Sequence, residues 1–131
     1  MTADENVATM QRAYDAFNTG DVDTLREVFD ENMVWHLPGR SPMANDYQSA
    51  DATLEYFGQL AEKTNGTFRA QLERLVGDED GRVVGIQHST ADKDGKHLDV
   101  HNCIVFTLED GRVIDGQEHF EDLYAWDEFW S

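Results

Sequence analysis

A chain of 131 residues, 40% hydrophobic and 11% aromatic, is long enough for one domain with a real core and too apolar to be disordered. Ten basic residues against 27 acidic ones give a formal charge of −17, which repels phosphate backbones and anionic lipid and argues against nucleic-acid or membrane partners. A single cysteine, Cys103, excludes an internal disulfide and a cysteine-rich zinc site.

Thr2 followed by Glu5 reads as a capping box, and Val7, Met10, Tyr14 and Phe17 then recur at helical spacing until Asn18-Thr19-Gly20 closes the helix. Asp21 caps a second, short helix with the stripe Val22, Leu25, Val28 and Phe29. Met33–Leu37 reads as a strand stopped by Pro38-Gly39, and the segment from Pro38 to Tyr47 as a loop. A third helix from about Ser49 to Thr64 buries Leu54, Phe57, Leu60 and Ala61 and ends at Asn65-Gly66.

Beyond that point the period falls to two. Strands at about Thr67–Val76, Arg82–Ala91, Lys96–Leu108 and Arg112–Phe120 are separated by Asp80-Gly81, Asp94-Gly95 and Asp110-Gly111. Asp-Gly between alternating segments marks a hairpin, because glycine takes the positive φ such turns need. The order predicts an α+β domain over residues 1–131, with helices against one face of a curved antiparallel meander.

Choosing each strand's inner face by its apolar content places one polar group among the inward residues of three neighbouring strands. Asn102 interrupts Leu98, Val100, Ile104, Phe106 and Leu108; His88 and Thr90 follow Val84 and Ile86; Glu118 shares a face with Ile114, Gly116 and Phe120. His88, Asn102 and Glu118 are thus expected to meet in a pocket under the first helix, with Tyr14 reaching in from above. A carboxylate and an imidazole in an apolar hollow suit proton transfer near neutral pH. The same alternation sends His97, Asp99 and His101, a spacing that can hold a metal, to the outer face with Cys103 and Val105, where a subunit interface is the better use. His36 and His119 also fall outward, and a bulge near Glu73 would decide the face of Arg74.

The runs Tyr14–Leu25 and Val34–Pro42, the later Val105–Val113 and the ending Asp122–Ser131 resemble the SnoaL-like group of the NTF2-like superfamily over nearly the whole chain. The resemblance implies a cone: three helices and a bent sheet around a pocket open at one end, commonly dimeric through the sheet's outer face. Characterised relatives of this kind handle small, largely apolar molecules by acid–base chemistry without a cofactor. Their specific residues carry over poorly. The general-base carboxylate of the ketosteroid isomerases falls on Leu37, their oxyanion-hole acid on Ile104 or Cys103, and their first-helix tyrosine on Ala13. The two aspartates and the arginine with which the limonene epoxide hydrolases activate water fall on His88, Thr90 and Glu118, so one carboxylate survives and histidine replaces the arginine.

Two readings follow. In the first, the chain is a cofactor-independent, metal-free enzyme acting on a small hydrophobic, oxygen-bearing molecule. Glu118 and His88 are its catalytic residues, Tyr14 and Asn102 hold a substrate oxygen, and Trp35, Phe57, Phe106 and Phe120 form apolar walls. The Arg40–Tyr47 loop and the aromatic tail near Trp126 serve as lids. In the second, the same domain is a non-catalytic ligand-binding or dimerisation module. Met1–Asn6 lacks the basic and apolar run of a signal peptide, so a reducing cytoplasm is the expected home. With only Lys63, Lys93 and Lys96 as lysines, the acidic surface also fits salt adaptation: the melting temperature should climb steeply between low and molar KCl, and a flat thermal-melt series would remove that reading.

Overall fold

Ten elements follow one another in the computed structural model, which describes residues 1–131. They are α1 (Ala3–Thr19), α2 (Val22–Val28), β1 (Phe29–Leu37), β2 (Asn45–Tyr47), α3 (Ala50–Lys63), β3 (Arg69–Gly77), β4 (Arg82–Lys93), β5 (Lys96–Glu109), β6 (Arg112–Phe120) and α4 (Leu123–Trp130). The capping box forms as the sequence implies: Glu5 N–H donates to Thr2 Oγ1 at 3.1 Å and Thr2 N–H to Glu5 Oε1 at 3.0 Å. Gly20 ends α1 in the left-handed region at φ 73°. Asp21, Ser49 and Asp122 cap the other three helices through their side chains. No helix is long and apolar enough to cross a membrane.

The six strands form one sheet in the order β2-β1-β6-β5-β4-β3. Every pairing is antiparallel except β1 with β6. Both residues of Asp94-Gly95 and of Asp110-Gly111 have positive φ, which matches the twist of a tight hairpin. Helix α1 is pinned to β3 by Asn18, whose Nδ2 donates to the Ala70 carbonyl at 2.9 Å and whose Oδ1 accepts from Ala70 N–H at 3.2 Å. The core lies between the helices and the concave face of the sheet, where Met10, Tyr14, Trp35, Tyr56, Phe106 and Trp126 are all buried.

Five expectations need correction. The Pro38–Tyr47 segment contains β2, a short edge strand, and the C-terminal aromatic tail is a helix, α4. Helix α3 turns Thr53, Tyr56 and Leu60 fully inward, leaving Leu54 and Phe57 half-buried and Ala61 exposed. Strand β6 bulges where Thr107 pairs with Asp115 and Leu108 with Val113, so Val113 rather than Ile114 takes the buried position. Strand β4 has the opposite parity to the one apolar content suggests. Val83, Gln87, Ser89 and Ala91 are buried, while Ile86 is 39% exposed and His88 lies on the same outer face.

The reason for the inversion of β4 is Gly85. A β-carbon there would collide with the Tyr14 hydroxyl and stand 3.0 Å from the ring's Cζ, so the glycine makes room for the tyrosine ring. Gly116 does the same for Trp35, whose Cε3 would stand 2.6 Å from an added β-carbon. Gly85→Ala and Gly116→Ala should each cost about 1–3 kcal/mol by overpacking, read as a lowered urea midpoint. Gly58→Ala, on the exposed side of α3 with nothing within 4 Å of the added carbon, is the control and should be neutral or stabilising. Equal losses at all three positions would refute this account of the two glycines.

Candidate active site

Strand β6 carries Glu118 into the cone, where it is 4% exposed. Its Oε2 accepts from the Trp35 indole N–H at 2.9 Å and from the Tyr56 hydroxyl at 3.0 Å. Its Oε1 has a single, longer partner, Asn102 Nδ2 at 3.4 Å. Burial disfavours the charged carboxylate more than the Trp35 and Tyr56 hydrogen bonds favour it, and the carboxyl is pushed up to about 7. Glu118 is therefore poised to hold or release a proton near neutral pH, and Oε1 is the oxygen with room to do so.

A row of buried polar groups runs away from the carboxylate across three strands and into α1. Tyr14 donates to Gln87 Oε1 at 2.6 Å, Gln87 Nε2 to Ser89 Oγ at 3.1 Å, and Ser89 Oγ to Asn102 Oδ1 at 2.8 Å. Asn102 then donates to Glu118, so every donor in the row points toward the carboxylate. These groups satisfy one another where water is excluded, which fixes both side-chain positions and the direction of polarity. Desolvation, with Glu118 nearby, raises the Tyr14 hydroxyl above the ordinary tyrosine range and raises Tyr56 more strongly still.

Between this row and the helices lies a cavity of about 50 Å³, counted as space open to the centre of a water molecule, and 15 of its 17 lining residues are hydrophobic. Of the residues singled out from sequence, Tyr14, Trp35, Phe57, Phe106 and Glu118 line it. Trp35 is the hub, with Phe57 at 5.1 Å and Phe106 at 5.8 Å between ring centroids. Asn102 is buried beside Glu118, in the polar row rather than on the wall. Phe120 packs on Trp126 at 4.6 Å instead of lining the cavity.

His88 is the main correction. Its ring stacks on His101 on the outer face at 4.4 Å, and its Nε2 meets Asp99 Oδ1 at 2.5 Å. Glu118 has no histidine partner; Trp35, Tyr56 and Asn102 hold it. Two further outward histidines are also paired with acids, His97 with Asp92 at 2.8 Å and His101 with Glu73 at 3.7 Å. His36 sits between Asp46 and Asp115, each at 2.8 Å. Burial pulls its pKa down, but the two hydrogen bonds outweigh it, so the ring is held above its ordinary value. Arg74 lies just past the β3 bulge, opposite outward Ile86, and is exposed.

Tyr56, Gln87 and Ser89 are site residues that the sequence pattern does not mark, and Trp126 belongs to the segment expected to form a lid. Helix α4 brings Trp126 to the cavity wall, buried to 1%. The helix is tied to the β1–β2 loop by Asp127, whose carboxylate accepts from Arg40 N–H at 2.9 Å and Ser41 N–H at 3.1 Å. The next residue is held as well: Lys96 Nζ donates to the Glu128 carbonyl at 2.8 Å.

The sequence profile described as a SnoaL-like domain matches residues 10–116 of this chain. The chain belongs to the SnoaL-like family. Its cone is that of the NTF2-like fold, shared with an NTF2-like protein from Burkholderia xenovorans at a TM-score of 0.85 and 20% identity, covering 100% of this chain and 99% of that one. Bal32a, from a soil-derived mobile gene cassette, is 53% identical over 98% of each chain, with a TM-score of 0.97. An uncharacterised protein of Mycobacterium tuberculosis is 28% identical over 131 residues, the full length of both. Bal32a and the Burkholderia protein share the scaffold of this chain.

Proposed function

We propose that this SnoaL-like protein is an acid–base enzyme that works without a cofactor on a small, hydrophobic, oxygen-bearing molecule, in an isomerase-, cyclase- or hydratase-type reaction. The observation that carries this reading is Glu118: a carboxyl buried in an apolar hollow, pushed up to about 7, with Oε1 only lightly engaged. In the reaction Glu118 takes a proton from a carbon or hydroxyl of the bound molecule, and the electron pair left behind moves onto the substrate's oxygen. The protonated carboxyl then returns the proton at another atom, so no net proton is consumed. Trp35 and Tyr56 hold the carboxylate in place through Oε2, and the aromatic wall keeps water from competing.

A thermal-shift screen with steroids, terpenoids and aromatic polyketides should find ligands. Carbonyl-bearing hits incubated with the protein in D2O should gain deuterium next to the carbonyl at a rate governed by a group titrating near 7. If no compound shifts melting, the pocket reading falls. If compounds bind but exchange no hydrogen above background, the chain is a binding module. That second reading draws support from the small cavity of about 50 Å³ and from the two short bonds already made to Oε2.

The proposed partner is a second copy, docked through the outer face of the sheet. Support comes from the exposed apolar side chains there, Val76 at 48% and Ile86 at 39%, beside half-buried Val84 and Val105. Sedimentation of the intact protein reads this directly; a monomer at high concentration would exclude it.

A further inference from the structure

Tryptophan and tyrosine that are buried normally find a partner for their polar atom, because an unpaired buried donor costs about 1–3 kcal/mol. On the cavity wall this rule holds almost throughout. Trp35 and Tyr56 donate to Glu118, Tyr14 to Gln87, and Gln87 to Ser89. The exception is Trp126, whose buried indole N–H meets no acceptor in the protein. Three other buried atoms lack partners, Asn6 Oδ1, Ser41 Oγ and Trp130 Nε1, but none of those residues lines the cavity. Packing alone does not call for an indole here, since phenylalanine would stack on Phe120 and Phe68 without burying an unpaired N–H.

We propose that the Trp126 N–H binds a carbonyl or ether oxygen of the cavity's ligand, so the preferred molecule is an apolar ring compound carrying an oxygen acceptor for Trp126 as well as a hydrogen for Glu118. The two groups come from different parts of the chain and have complementary needs. Trp126 offers a hydrogen with no acceptor, and Glu118 Oε1 is an acceptor whose one protein donor stands 3.4 Å away. Trp126 is also held in place before anything binds, because the two residues after it are tethered, Asp127 to the β1–β2 loop and Glu128 to Lys96. Preorganisation of this kind lowers the entropy lost on binding. The inference rests on the ligand-binding pocket proposed above and adds to it the oxygen acceptor that selects the ligand.

A matched set of nine-carbon bicycles tests it: indane, with no oxygen; indan-5-ol, with a hydrogen for Glu118; and 1-indanone, with an acceptor for Trp126. With protein labelled with 15N at its three tryptophan indoles, 1-indanone should move the Trp126 N–H resonance downfield and indane should not. The resonance is assigned by its disappearance in Trp126→Phe. In that variant the affinity for 1-indanone should fall about tenfold relative to indane, the loss expected for one hydrogen bond. Should indan-5-ol bind while 1-indanone gains nothing over indane and the indole signal stays still, the Trp126 assignment is wrong and the pocket reading stands. If none of the three binds, both are wrong. The resonance shift is read on the unmodified protein, so a poorly folded variant does not remove the test.

Discussion

Replacing Glu118 with glutamine should give a protein that is more stable than the wild type above pH 7 and much slower in any proton-exchange assay. Below about 4.5, the ordinary value, the carboxyl is protonated whether the chain is folded or not, and its ionisation contributes nothing. Between about 4.5 and about 7 the unfolded chain has released the proton and the folded one still holds it. The folded state then binds more protons, so stability falls as pH rises, and above about 7 the whole penalty is present. The shift corresponds to a penalty on the order of 3 kcal/mol. The glutamine variant carries no such term, although its amide fits less well against Asn102 Nδ2. Its urea-unfolding free energy, plotted from pH 5 to pH 8, should therefore be flatter than that of the wild type. His36 also contributes stability that fades as pH rises through its raised pKa, but it does so in both proteins and drops out of the difference. Parallel curves would show that Glu118 ionises as easily folded as unfolded. For function, the loss of a positioned acid–base group should lower the rate by about 10²–10⁴.

Trp35→Ala should come close to unfolding the domain. Trp35 is buried against Phe29, Phe57 and Phe106, and truncation of a large aromatic side chain costs about 3–5 kcal/mol. That is a large part of the roughly 5–15 kcal/mol typical of a whole domain. The loss should be greater at pH 8 than at pH 5.5, because an ionised Glu118 then loses one of its two short hydrogen bonds. Trp35→Phe separates the two effects: it keeps most of the apolar bulk and removes the donor. It should be mildly destabilised at pH 5.5 and lose roughly 1–3 kcal/mol more at pH 8. An equal loss at both pH values would show that Trp35 acts on Glu118 through packing alone.

Glu118 and Asn102 were legible as inward residues because β5 alternates without interruption and the pattern around Glu118 is unambiguous once Gly116 is taken as inward. Apolar content points His88 the wrong way, because the rule fails where a glycine stands in for an apolar residue. Val84 and Ile86 outweigh Val83 and Gly85 in apolar content, yet the inner face needs the smaller pair to admit Tyr14. The information to correct this was in the chain. A two-residue turn at Asp94-Gly95 pairs Lys93 with Lys96, and counting back from it sets Gln87 opposite Asn102 and His88 opposite His101. If Asn102 points inward, Gln87 must as well. Tyr56 is not legible because helix periodicity favours Phe57 one position on, and the rotation of a helix by one residue is set by packing, not by propensity. The Asp127 and Lys96 tethers were beyond reach, since each joins residues more than 30 positions apart through geometry no local pattern encodes.

The one-way order of the polar row limits where a proton can travel. Ser89 and Gln87 each spend their acceptor on the neighbour before them, and the row contains two amides, which do not readily pass protons on. Moving a proton from Glu118 back to Tyr14 would require the whole file to turn over in a packed interior. This row therefore does not relay protons away from Glu118, and in the reaction proposed above the carboxyl trades its proton with whatever occupies the hollow it faces.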